Sequence, residues 1–362
     1  MYNIFQKFFD NIKDNIDTIP ASDEWVGKDD LLGTFDKISK NFDDQYNCAF
    51  KDIEYIFSDN KDVKYQTEKT VELLRKWKSD ESSISIFSLV AAALTYFDFS
   101  LEEDEAYITP VLMAAALADV PNVLDYHNNF HFRKVVFHTI RMISVHNDIW
   151  GAEKHYLDKR QISLLISAAA VHDLGHKGDG NIIDRKYQMA KIERRSYDLA
   201  YPYFKKSGLS DDDLNDVIVM LTTTDVSPFG DPISPASQMR RAYEFHYGSS
   251  SEMDDKESLM LSDDLSLLAE RERLCLMCLI LHEADIMNSA AVDYDITCEE
   301  SISVSKELGL VHALPEGTLL FLERICAGHM LSDAGRYLGS ENLAVILERV
   351  MKDYKTGNKS YM

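Results

Sequence analysis

Residues 172–176 read His-Asp-Leu-Gly-His and close an apolar run, Leu164 to Val171, that contains no charged side chain. An aspartate at the end of a buried segment must be paired or bound to a cation. His176 stands four residues after His172, so the two imidazoles return to one side. A second pair with that spacing, His127 and His131, lies upstream in Tyr126-His127-Asn128-Asn129-Phe130-His131. A third apolar run, Cys275 to Leu281, delivers His282, Glu283, Asp285 and Asn288. Imidazole suits zinc-like ions and carboxylate suits magnesium-like ions. His131, His172, Asp173 and Asp285 together offer two nitrogens and two carboxylates, a suitable set for a zinc-like ion. Asp173 can also reach a second, wetter ion such as magnesium or manganese. Water shared by two such ions is a nucleophile at neutral pH, the arrangement that splits phosphate esters. His127, left off the metals, is then the candidate general acid. His176 is expected to orient the water, and Asn288 to offer a polar group to the pocket.

Helices must carry these residues. Apolar side chains recur at helical spacing over 67–77, 83–97, 107–120, 131–146, 161–173, 214–225, 268–287 and 317–331. No segment shows sustained strand-like alternation, and 15 glycines and 8 prolines leave few hairpin signals. The expected fold is all-α, a compact multi-helix bundle around a binuclear metal pocket. Aromatics at helical spacing in residues 1–16 predict a packing helix. Turn formers and charges over 19–32 and 248–265 predict solvated loops. No internal repeat or linker divides the chain. The expected organisation is a helical extension or cap over residues 1–75, a catalytic domain over 76–350 and a tail over 351–362.

Composition narrows the function. The chain has 362 residues, and 61 acidic against 38 basic residues give a formal charge of −23. That sign repels nucleic acids and anionic membranes, while bound cations still permit a small anionic substrate. An acidic surface or the N-terminal extension offers a place for a protein partner. No run is long and apolar enough to predict a membrane span. The five cysteines are an odd, scattered set, which argues against a disulfide framework and for a reducing, cytoplasmic setting. Cys275 and Cys278 lie in an apolar helical run and are expected to pack in the core. His138, His146, His312 and His329 are expected to be structural.

Four segments carry a family resemblance. Residues 126–131 resemble the Y-H-N-x-x-H element of class I cyclic nucleotide phosphodiesterases, members of the HD-domain metal-dependent phosphohydrolase superfamily. His172 through Asn181 is similar to that family's H-D-x-x-H-x-G-x-x-N signature at every fixed position. Thr224-Asp225-Val226-Ser227 resembles T-D-x-S, and His282 through Asn288 resembles H-x-A-D-x-x-N. The order agrees, and the likeness covers roughly residues 80–335. It implies a zinc plus magnesium (or manganese) pocket held by His131, His172, Asp173 and Asp285. It implies that His127 protonates the O3′ leaving group of a 3′,5′-cyclic nucleotide, cAMP or cGMP, giving the 5′-monophosphate. It implies that Asp225 supports the metal ligands, that Glu193 orients the catalytic histidine and that Phe321 stacks on the base. Tyr126 and Asn288 join Phe321 as candidate substrate contacts.

The chain also departs from the pattern. Thr318 stands where the family's base-binding glutamine is expected, and threonine lacks the paired amide donor and acceptor. Lys177 replaces the usual proline of the signature, and residues 289–316 look unlike the family. Base specificity is therefore open. The alternative readings are a phosphohydrolase acting on another nucleotide and a non-catalytic nucleotide-binding or protein-interaction module.

Overall fold

A computed structural model describes residues 2–19, 25, 28–80, 84–184, 186–248, 259–357 and 360–361. Helix α1 (Tyr2–Thr18) turns one aromatic stripe inward, and α2 (Lys28–Ile53) receives it. Phe5 and Phe9 meet Phe42 at ring-centroid distances of 5.1 and 5.0 Å, and Phe9 stacks on Phe87 at 5.3 Å. Phe87 belongs to α4 (Ile86–Tyr96), so the N-terminal helices share the core of the rest of the chain. α3 (Val63–Ser79) follows α2 and precedes α4. Residue 75 lies inside α3, and residue 350 lies inside α14 (Asp333–Thr356).

The centre of the molecule is built from α5 (Glu105–Ala118), α6 (Asn129–Trp150), α7 (Lys159–Val171) and α11 (Glu272–Ala290). α5 packs along α7, and α6 packs against both α7 and α11. These helices are buried nearly all round, as expected of segments without a clear polar face. α8 (Lys191–Lys206) packs on α9 (Asp211–Thr222) and α5, α9 also packs on α7, and α10 (Pro235–Tyr247) packs on α11. α12 (Tyr294–Glu307) packs on α11, and α13 (Pro315–Arg324) packs on α14, which itself lies against α6 and α11. The only extended pairing among the described residues, apart from two isolated bridges, is a hairpin of β1 (Ile182–Ile183) and β2 (Lys186–Tyr187), with Ile182 opposite Tyr187. No single helix among the described residues is long and apolar enough to cross a membrane.

Several expected boundaries move. The loop over 19–32 is shorter, because α2 begins at Lys28 and buries Leu31; residues 20–24 and 26–27 lie outside the described residues. The loop over 248–265 gives way at Leu259 and Leu265, both fully buried, and a 3-10 turn runs from Asp263 to Ala269; residues 249–258 lie outside the described residues. The single helix expected over 268–287 is therefore split, since α11 starts at Glu272. The helix expected over 317–331 stops at Arg324, where Ala327 and Gly328 take left-handed conformations, φ 50° and 68°. All five cysteines are free, and Cys275 and Cys278 pack in the core.

Candidate metal centre and acid–base pair

Three helix segments deliver the site, and each is positioned by a local device. Asn128 caps α6, its side-chain oxygen accepting from the amides of Phe130 and His131 at 3.0 and 3.1 Å. The cap places His131 in the first turn, facing the interior. α7 is started by a capping box between Asp158 and Gln161 and ends at His172. The turn after Asp173 needs Gly175, which has φ 70° and where a Cβ would stand 2.4 Å from Leu199 Cδ1. Asp285 comes from the middle of α11.

The three segments converge. His131 Nε2 lies 3.2 Å from His172 Nε2. Asp173 Oδ2 lies 3.0 Å from His172 Nε2 and 3.4 Å from His131 Nε2. Asp285 Oδ1 approaches the same two nitrogens at 3.6 and 3.4 Å. His172 donates from Nδ1 to the Ala169 carbonyl at 2.9 Å, so its Nε2 lone pair is turned toward the carboxylates. Asp173 also belongs to a second group of potential ligands with His127 and His176, which places it between the two.

The electrostatics fit a divalent cation. Burial opposes a charge on His172, yet Asp173 and Asp285 raise its pKa to about 9. Burial likewise raises both aspartates, and the facing imidazoles reverse this and hold them below the usual carboxylate range. Two carboxylates and two imidazoles packed this closely need positive charge between them. A proton on His172 supplies one unit, and a divalent ion supplies more with no donor–donor conflict between the two Nε2 atoms.

His127 is the neighbour of this cluster. Its Nε2 lies 3.8 Å from Asp173 Oδ2. Its Nδ1 is hydrogen-bonded to Glu307 Oε1, and Glu307 Oε2 accepts from the backbone amides of Tyr126 and His127 at 2.8 and 3.0 Å. Burial disfavours the imidazolium, but Asp173 and Glu307 outweigh it, and the His127 pKa is raised. Burial raises the Glu307 carboxyl, and the bond to His127 then brings it down to about 2. His176 stacks on His127 at a centroid distance of 3.8 Å. Its Nδ1 accepts from Gly178 N at 2.9 Å, which leaves the ring proton on Nε2. Burial and the His127 charge lower its pKa to about 4, against the pull of Asp173.

The other expected residues are distributed as follows. The Tyr126 ring lies 4.6 Å from that of His131, and its hydroxyl is 3.4 Å from Ser289 Oγ. Asn288 is buried, with Oδ1 at 3.4 Å from His138 Nε2. Phe321 is half-buried on α13 and packs against the core. Thr318 is buried and hydrogen-bonds Ser301 at 2.9 Å. Asp225 accepts from Tyr187 Oη at 2.7 Å and from Ala190 N at 2.9 Å, fixing the left-handed Ala190 that starts α8. Glu193 does not reach His127, contrary to expectation. Its carboxylate accepts from Asn181 Nδ2 at 3.0 Å, and burial with the nearby Asp225 charge lifts its pKa to about 8. The acid on the histidine is Glu307 instead, from the stretch that looked least familiar. Seven residues separate Glu300 from Glu307, two turns of one helix face, and that spacing was the available signal. Glu300 is bound by the buried Lys134 at 2.5 and 2.6 Å, one turn along α6 from His131.

No protein-family model matches the chain, and no curated protein matches it in sequence. Its fold does match solved structures. The phosphodiesterase domain of a rhodopsin–phosphodiesterase fusion protein from the choanoflagellate Salpingoeca rosetta aligns with a TM-score of 0.51 at 16% identity, covering 76% of this chain and 93% of that one. A second crystal structure of that rhodopsin phosphodiesterase domain aligns at 0.52 and 14% identity, covering 77% and 90%. The chain thus has a phosphodiesterase-like helical fold, and the His/Asp groups described above lie within it.

Proposed function

We propose that the chain is a metal-dependent phosphohydrolase that opens the 3′,5′-cyclic phosphate of a nucleotide such as cAMP or cGMP. The observation that carries this reading is the meeting of His131, His172, Asp173 and Asp285 around one point beside a hydrogen-bonded His127–Glu307 pair. Those four residues would hold the cations, with Asp173 shared between a zinc-like and a magnesium- or manganese-like ion. Such ions would supply an acidified water and neutralise the phosphate oxygens. His127 carries its transferable proton on Nε2, the nitrogen away from Glu307, and gives it to the leaving O3′. His176 Nε2–H orients the attacking water. Tyr126, Asn288 and Phe321 would border the nucleoside, while Asp225 and Glu193 hold the surrounding loops. The catalytic unit would span residues 76–350, with 1–75 as a cap.

Thr318 motivates a second reading. Its hydroxyl is engaged with Ser301, so no amide from this position reads a base edge. A linear nucleotide phosphate is then the alternative substrate. Purified protein supplied with Mn²⁺ or Mg²⁺ and a nucleotide panel decides between them: turnover of linear but not cyclic substrates rejects the first. Asp173→Ala should abolish turnover. His127→Ala should keep its metal content and lose about 10²–10⁴-fold in rate, the usual worth of a general acid. Loss of metal in that variant would make His127 a ligand.

A further inference from the structure

Six arginines of this chain are neutralised by carboxylates. Arg160, Arg194, Arg195, Arg271, Arg336 and Arg349 each lie within 3.9 Å of a carboxylate. Three others share one place. Arg240 and Arg241 of α10 and Arg324 of α13 line a concavity of about 560 Å³, with His329 at its edge. None of the three has an ion-pair partner among the described residues, although Glu244 and Glu323 border the same space. Backbone carbonyls hold two of them. Arg241 donates to Leu259 O at 3.2 Å and to Pro232 O at 2.8 Å. Arg240 donates to the carbonyls of Cys326 and His329, both at 3.4 Å. A carbonyl fixes a guanidinium in place without cancelling its charge. Three guanidiniums with no ion-pair partner among the described residues thus meet around one hollow.

The hollow shares no residue with the candidate metal cluster. Arg240 is near enough for its charge to act on the buried His282 and Glu283, one turn of α11 before Asp285. Val226 in its wall follows Asp225 directly.

We propose that this concavity is a second anion site that takes a group of two or more linked phosphates. Planar guanidinium forks match phosphate oxygens in pairs, and two helices presenting them from different sides suit an extended anion better than a single orthophosphate. The anion has two possible sources, the distal phosphates of a substrate whose scissile bond lies at the metal centre, or a separate effector. The first deepens the hydrolase reading; binding itself does not depend on it.

The test uses the full chain stripped of divalent cations, so that the metal centre cannot hold the probe. Calorimetric titration with sodium pyrophosphate should show one site that binds orthophosphate more weakly. Arg324→Glu, at an exposed position, should weaken pyrophosphate binding at least ~10-fold with its circular dichroism unchanged, and Arg241→Ala should weaken it as well. Wild-type protein that does not bind pyrophosphate, or Arg324→Glu binding as tightly as wild type, overturns the proposal. Kinetics with metal restored separate the sources. A raised KM for a polyphosphate-bearing nucleotide in Arg324→Glu, with kcat kept, assigns the anion to the substrate. Pyrophosphate changing the rate of the wild type but not of the variant assigns it to an effector. An enzyme inactive on every nucleotide would sink the hydrolase reading and leave the metal-free titration to decide this one.

Discussion

His127 faces a carboxylate at each ring nitrogen, Glu307 at Nδ1 and, 3.8 Å away, Asp173 at Nε2. A general acid must still carry its proton at the working pH, and both anions favour that form. Removing one of them lowers the imidazole pKa, so the protonated fraction fails at a lower pH. Glu307→Gln should therefore move the alkaline limb of the kcat/KM profile toward acid pH, with activity about 10–100-fold down above pH 8 and a smaller loss near pH 6. Glu307→Asp should recover part of the shift. A limb that stays where it was would show that Glu307 does no more than tether the two backbone amides.

At the scale of the element, α12 is fastened twice on one face, by Glu300 to Lys134 of α6 and by Glu307 to His127, the residue just before that helix's cap. The Lys134 ammonium is buried and lies 4.9 Å from the Phe130 ring centroid, so it has little water to fall back on. Leaving one member of a buried ion pair behind costs about 3–5 kcal/mol, whereas replacing both with apolar groups is often neutral. Lys134→Met alone should lower the unfolding free energy by that order and reduce turnover while metal content holds. Adding Glu300→Leu should restore most of the stability. Equal stability in the single variant and the wild type would mean that α12 is held by its apolar contacts. Gly335, on α14, marks a close approach to α11: a Cβ there would stand 2.2 Å from Glu283 Oε2.

Across the whole molecule, one continuous core ties α1 through α14 together, and the candidate ligand cluster lies where α6 begins, α7 ends and α11 passes. Cation binding should therefore be felt as global stability. At a free ion concentration 100-fold above Kd it adds about 2.7 kcal/mol, and chelation should lower the thermal midpoint accordingly. The metal-free protein should also show a pH dependence that the loaded protein lacks. His172 is raised from 6.5 to about 9 by its aspartates. A raised imidazole stabilises the fold fully below pH 6.5 and loses that contribution as pH rises through 9. Thermal scans of chelated protein from pH 6 to 9.5 should decline across this window, and scans with saturating metal should decline less. Parallel curves would remove His172 from the centre.

The sequence by itself determined the all-α class and the short-range chemistry. His172, Asp173 and His176 are legible because one helix end carries them, and His127 with His131 because both stand at the start of one helix, on either side of its Asn128 cap. Long apolar runs such as α7 are readable because burial demands them. Helices α8, α12 and α14 are harder, since α8 holds Pro202, α12 is largely polar, and the glycines of α14 exist to admit another helix. Only the tertiary structure decided which acid meets His127. Glu193 and Glu307 are equally ordinary glutamates in the chain, and their roles follow from how α8 and α12 dock. The same holds for the arginine-lined hollow, whose members come from residues 240–241 and 324. Spacing within one element is a local property of the backbone, whereas convergence of separate elements is set by packing, which no window of residues contains.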